Sequence, residues 1–340
     1  MTWKKRIHSL VFVAFWVGAC GAASAACLDG RPQRGVNLSG AEFGHTKLPG
    51  VLNKDYIYPS YKDLVFFQAQ GANVVRVPFR WERIQRRING PLEPSDLAQL
   101  QAVVNWGKSL NLCIVLDLHN FGAYQGQVLG SAELPTTAFL DLWTQLAQTF
   151  NDTDVAAFGL MNEPSAIAVQ DWFSIAQQAV LHLRKAGALN LLLVGSGRWS
   201  GAHEWHKNFA GTSAAEAFKT FQDPLNRFAI ELHQYADANY SGTTSSCIDP
   251  VKLKDIMSKV TVWALQEKKQ VFLGEFGTAA SPECITALRE ILNGMQATTA
   301  WLGWTYWSAG PWWGNYAFSI QPQAGMESAQ LALLRTYFKN

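Results

Sequence analysis

Eight short apolar runs, each followed by a stretch with helical spacing, limit the possible folds more than any other feature of the chain. They span residues 35–39, 73–78, 112–118, 156–160, 191–195, 228–233, 271–275 and 302–306. The runs are nearly continuous in hydrophobicity, as strands are when both faces of a parallel sheet are covered. Between them, Leu97, Leu100 and Val104 follow a Ser95 cap. Trp172, Ala176, Val180 and Leu183 precede a stopping Gly187, and Leu253, Ile256, Val260 and Trp263 recur at three- and four-residue steps. Eight such units in one unbroken series predict a single-domain (β/α)8 TIM barrel and not an open doubly wound sheet. No glycine-rich phosphate loop follows any run, which argues against a nucleotide fold.

The length of 340 residues suits one barrel. No Pro/Ser/Thr-rich linker or second module is visible, so residues 26–340 read as one catalytic domain. Residues 1–25 read as an export signal: Lys4, Lys5 and Arg6, an apolar run over 10–19, then Ala23-Ser24-Ala25 as a cleavage pattern. The apolar run is too short for a good membrane span. The stretch ending in Cys20 also resembles an imperfect lipoprotein box, so a lipid anchor on Cys20 is the alternative to release outside the cell. Loss of residues 1–25 takes the charged residues from 28 basic and 26 acidic to 25 and 26, a net charge of −1. No basic block of the kind that grips nucleic acid or anionic lipid is present. A monomer without metal or organic cofactor is expected.

Four cysteines follow residue 25, and export permits disulfides. Cys247 and Cys284 lie in polar, loop-like sequence and are the expected pair. Cys113 sits in an apolar run and Cys27 near the terminus of the mature chain, and both are expected to be free thiols. No Cys/His spacing resembles a zinc site.

In a barrel of this kind the C-terminal strand ends face one rim. Those ends here deliver Arg76, His119, Asn162-Glu163, His233 with Tyr235, Glu275, and Trp307. Two glutamates brought to one mouth are what glycoside hydrolysis requires: one to protonate the leaving oxygen, the other to attack or stabilise the anomeric carbon.

The chain resembles glycoside hydrolase family 5, most closely its secreted endo-β-1,4-glucanase (cellulase) members. The resemblance rests on residues 34–44, Arg76-Val77-Pro78-Phe79, Leu116-Asp117-Leu118-His119-Asn120, Asn162-Glu163-Pro164, Glu231-Leu232-His233-Gln234-Tyr235, Gly274-Glu275-Phe276-Gly277 and the run from Trp307 to Trp313. It implies Glu163 as acid/base and Glu275 as nucleophile, with Asn162 on the 2-hydroxyl of the cleaved sugar. Arg76 would hold Glu275 ionised, Tyr235 would donate to it, His119 and His233 would bond sugar hydroxyls or supporting groups, and Trp307 would be the platform under the ring. Trp199 and His203 are candidates for the leaving-group side, Trp312 and Trp313 for a longer platform, and Asn37 for a supporting role. His45, His182 and His206 are read as surface or packing residues. The expected substrate is β-1,4-glucan. Another β-glucan or β-mannan, or a non-catalytic glycan-binding barrel, are the competing readings.

Overall fold

A computed structural model describes residues 27, 30–295, 299–322 and 325–339. The signal reading and Cys20 lie outside the described residues. Eight parallel strands close into a barrel in the order 1-8-7-6-5-4-3-2. They are β1 (Gln33–Leu38), β2 (Val74–Phe79), β3 (Cys113–Leu118), β4 (Ala156–Gly159), β5 (Leu192–Gly195), β6 (Phe228–Tyr235), β7 (Val271–Gly277) and β8 (Trp301–Ala309). The predicted TIM barrel is therefore the observed fold, with every strand within a few residues of its apolar run.

Around it run α1 (Tyr61–Gln70), α2 (Pro94–Leu110), α3 (Thr136–Thr149), α4 (Val169–Lys185), the single turn α5 (Ala214–Ala217), α6 (Pro250–Gln266), α7 (Pro282–Gly294) and α8 (Ala329–Phe338). A Ser60/Asp63 capping box opens α1, and Gly71 at φ 107° closes it in the left-handed conformation that glycine tolerates best. The start of α2 differs from expectation. Pro94 occupies its first turn and Glu93 precedes it without a side-chain cap, so Ser95 lies inside the helix. Proline, with its preset φ and no N–H to satisfy, sets that boundary in place of the serine.

Strand residues alternate between two environments. Outward side chains such as Val75, Val77 and Ile114 join the core beneath the helices. Val74, Cys113, Val115, Ala157, Leu193, Ala229 and Phe272 form a separate apolar cluster. Val74 shares the inward face of β2 with Arg76, so this cluster fills the barrel below the polar rim.

Cys27 joins the same cluster and bonds Cys113, 86 positions away. The expectation that both were free thiols is thus corrected. Cys113 is buried, and its side chain faces the barrel's lower end, where Cys27 meets it. The Cys27 N–H also donates to Asp154 O at 3.0 Å. Cys247–Cys284 forms as expected.

Candidate active site

Arg76, fully buried on β2, organises the rim. Its Nη1 donates to Asn37 Oδ1 and Glu275 Oε1, both at 2.9 Å, and its Nη2 to Asn162 Oδ1 at 2.8 Å. Nε pairs with Glu231 Oε1 at 2.8 Å and Nη2 with Asp117 Oδ1 at 3.0 Å. One guanidinium therefore holds residues from β1, β3, β6, β7 and the end of β4, its rigid fork matching several oxygens at once. Asn37 is anchored in turn through Nδ2 to Gly274 O at 2.8 Å. Gly274 has no side chain for a reason: a Cβ there would overlap the Glu231 carboxylate.

Glu275 also accepts a 2.6 Å hydrogen bond from the Tyr235 hydroxyl on Oε2, and the His233 ring lies 3.6 Å from that oxygen. Burial alone would raise its pKa, but His233, Arg76 and the Tyr235 hydrogen bond outweigh burial and hold it below the ordinary carboxylate range. Glu163 follows β4 at φ 38°. Its pKa is pushed up, chiefly by burial, and the 2.7 Å hydrogen bond from His233 Nδ1 offsets this only in part. The two glutamates are thus driven in opposite directions. Burial works against charge on His233, yet Glu275 and the hydrogen bonds to Glu163 and Glu231 lift its pKa to about 10.

His119 behaves differently. Burial lowers its pKa to about 3, so the ring is neutral. Nδ1 faces Asp117 Oδ2 at 2.8 Å and carries the proton, which leaves Nε2 to accept from Asn162 Nδ2 at 3.3 Å. The amide of Asn162 is thereby oriented between Arg76 and His119. Trp307 stacks on the His119 ring with centroids 5.5 Å apart and planes at 14°.

A carboxylate oxygen of Glu163, one of Glu275 and a ring nitrogen of His233 all lie within 4.8 Å of one another. Such a trio can in principle hold a cation. Here Nδ1 is bonded to Glu163, and both oxygens of Glu275 are bonded to Arg76 and Tyr235, so a metal would have to break those bonds.

All eight residues named on six strand ends converge. Trp199 and His203 do not join the cluster but stand on the adjoining rim. Trp199 is 52% exposed, edge-on to Phe121 at 6.3 Å. His203 is half-buried and stacks on Tyr240 at 4.0 Å. On the other flank a cleft of about 1060 Å³ runs outward from His119 and Trp307 past Phe43, His45, Trp312 and Trp313. His45, read as a surface or packing residue, lines this cleft. Trp313 is wedged between Phe43, Trp307 and Tyr316, while Trp312 stays 39% exposed. Sequence reading gave no role to Asp117 and Glu231, the acidic partners of Arg76, although both lie in the quoted strand-end motifs. It also missed Glu42 and Arg80 in the cleft. Arg80 directly follows the end of β2, which is the signal that pointed to it.

A family model for cellulase (glycosyl hydrolase family 5) matches residues 36–311. The chain is 32% identical over 323 residues to the probable endo-beta-1,4-glucanase B of Neosartorya fischeri, spanning 94% of this chain and 95% of that one. It superposes on the endo-beta-1,4-glucanase crystal structure from Xanthomonas axonopodis pv. citri with a TM-score of 0.88 and 41% identity, covering 91% of this chain and 99% of that chain. A structure of XacCel5A in complex with cellopentaose matches with the same TM-score, identity and coverage.

Proposed function

The chain belongs to glycosyl hydrolase family 5, the cellulases, and from that premise we propose that it is an exported endo-β-1,4-glucanase that cuts cellulose-type chains with retention of configuration. The observation that carries the reading is the buried pair Glu163 and Glu275, with oxygens within 4.8 Å and pKa values driven apart. So close an approach of single oxygens supports a retaining pair, whose carboxyl groups stand about 5–5.5 Å apart, over an inverting pair held ~6.5 Å or more apart to admit a water.

In the first step Glu275, kept ionised by Arg76 and Tyr235, attacks the anomeric carbon. Glu163, kept protonated by burial, gives its proton to the departing glycosidic oxygen. The bond to the leaving sugar breaks and a glycosyl ester to Glu275 forms. Glu163, now ionised, takes a proton from water, whose oxygen attacks the same carbon and frees Glu275. The second Asn162 N–H, not used on His119, is available to the 2-hydroxyl of the reacting sugar. Trp307 offers its indole face to the ring, and Trp199 with His203 flanks the leaving-group side.

The open cleft on one flank and the low rim on the other suit a long chain that enters anywhere along its length. The cellopentaose complex of XacCel5A and the endo-beta-1,4-glucanase relatives support β-1,4-glucan as substrate. The basic start, apolar run and small-residue cleavage pattern of residues 1–25 support export. Among the described residues no helix is long and apolar enough to cross a membrane. The test is hydrolysis of carboxymethylcellulose beside mannan and xyloglucan. The viscosity of carboxymethylcellulose should fall much faster than reducing ends appear, and the other polymers should react more slowly. A preference for mannan or xyloglucan, or an inert protein, would overturn the substrate assignment.

A further inference from the structure

The loop between β6 and α6 is held by a buried carboxylate that the two-step chemistry does not use. Apart from Tyr240, residues 238–246 are small or polar, and most of them are exposed. A stretch of that kind has little apolar surface with which to offset the entropy of being ordered. Asp237 supplies the anchor. It stands two residues past the end of β6 and is fully buried. Its Oδ1 accepts from the Ser241 N–H at 2.9 Å and the Gly242 N–H at 3.0 Å. Its Oδ2 accepts from the Ser241 hydroxyl at 2.9 Å, and from the Thr243 N–H, the Thr244 N–H and the Thr244 hydroxyl at 3.3 Å each. Burial works against charge on Asp237, but these hydrogen bonds outweigh it and hold the pKa below the ordinary range.

The gathered loop lies against Tyr235. A Cβ on Gly242 would meet the Tyr235 ring at 2.8 Å, so only a glycine lets the backbone come this close. The Gly242 φ of 71° is likewise one that glycine adopts without strain. The Gly242 carbonyl accepts from the Tyr316 hydroxyl at 2.8 Å, and Phe318 packs on the Tyr235 ring with centroids 6.1 Å apart. Pairing of β6 with β7 fixes the Tyr235 main chain. The direction of its ring is set by what packs on it.

We propose that Asp237 is a positioning residue for the nucleophile: by gathering residues 241–244 against the Tyr235 ring, it fixes the 2.6 Å hydrogen bond from the Tyr235 hydroxyl to Glu275. The proposal rests on the hydrolase reading of the Glu163–Glu275 pair. Both oxygens of Asp237 are taken up by the loop, so it acts through Tyr235 and not on the sugar.

The test follows the acid limb of kcat/KM on dinitrophenyl β-cellobioside for wild type, Asp237→Asn, Tyr235→Phe and the double variant. Glu275 is faced by Arg76 from β2, Asp117 and His119 from β3 and its end, Glu163 after β4, His233 and Tyr235 from β6, and Tyr316 after β8. Asp237→Asn alters none of them. The asparagine keeps one acceptor and loses the other together with the charge, so the loop loosens and the phenol donates less well. The acid limb should move up by about half to one pH unit, less than complete loss of the phenol would move it. Loss of a negative charge acting directly on Glu275 would move the limb down, so the direction identifies the route. In the Tyr235→Phe background, Asp237→Asn should move the limb no further, because the two residues act in series. A limb that stays put or moves down, or an equal upward move without the phenol, would overturn the assignment. So would a lowered Tm with an unmoved limb, which marks a purely structural residue. Should Asp237→Asn fail to fold, Ser241→Ala with Thr244→Val removes only two hydroxyl donors from exposed residues. It should move the limb in the same direction, and an unmoved limb there overturns the proposal equally. A wild-type protein inert toward the cellobioside would instead overturn the hydrolase reading, and this assignment with it.

Discussion

At the scale of single residues, the account turns on two glutamates given different surroundings. Glu163→Gln should lose about 10²- to 10⁴-fold on carboxymethylcellulose, the usual worth of a positioned acid. It should be far less impaired on dinitrophenyl cellobioside, whose leaving group needs no proton. Glu275→Gln should fall to near background on both. Steady-state rates on the two substrates check this, and equal losses for both variants would reverse or remove the roles. The pH profile follows from the same pair. Activity needs Glu275 ionised, so it rises as pH climbs through a pKa held below the ordinary carboxylate range. It needs Glu163 protonated, so it falls as pH passes a pKa held above that range. Tyr235→Phe removes a donor to the ionised form of Glu275 and should move the acid limb of kcat/KM up by about one to two pH units. An unmoved acid limb would show that the phenol does not stabilise the Glu275 carboxylate. These residues were legible because each sits at the end of an apolar run, where the barrel fixes which way it faces. Glu42 was not, because it stands on the loop after β1, where no strand fixes which way it faces, and Arg80 was passed over although it directly follows the end of β2.

At the scale of elements, the strands were easier to place than the helix starts. Inward and outward faces are both buried, so each strand reads as one apolar run. Two later strands outlast their runs: β6 continues to Tyr235 and β7 to Gly277, since His233, Gln234 and Tyr235 still pair with Glu275, Phe276 and Gly277 on the neighbouring strand. A helix start is decided by one or two residues, and at α2 proline prevailed over serine. Cys27 lies in no periodic segment, so the sequence carries no sign of its partner. Thiol counting on the unfolded, unreduced protein should find none free among Cys27, Cys113, Cys247 and Cys284, and two free thiols would restore the earlier expectation. The two bonds close loops of 86 and 37 positions, for which chain entropy gives roughly 4.5 and 4 kcal/mol. Cys27→Ser should accordingly lower Tm by about 5–10 °C with little change in kcat. Cys247→Ser should lower Tm and also impair turnover, because Cys284 packs with Tyr235 and Trp307. Calorimetry with kinetics on both variants separates the two effects.

At the scale of the whole molecule, the barrel divides the work by depth. Below Arg76 the interior is apolar and closed by the Cys27–Cys113 bond. At its level, Asp117, Glu231 and Glu275 crowd around one guanidinium, with His233 beside the two glutamates. Buried charges of this kind are expensive, and any one of them left alone would be strongly destabilising. Together they set an ionised nucleophile beside a protonated acid, in a mouth open along the rim from Trp199 to Trp312. The central claim is that Glu275 forms a covalent bond to the sugar. Mass spectrometry after reaction with dinitrophenyl 2-deoxy-2-fluoro-β-cellobioside tests it most directly, since the fluorine slows breakdown of the glycosyl ester more than its formation. The account predicts one cellobiosyl label per protein, on the peptide carrying Glu275. A label on Glu163, or no label together with release of product as the α-anomer, would contradict it.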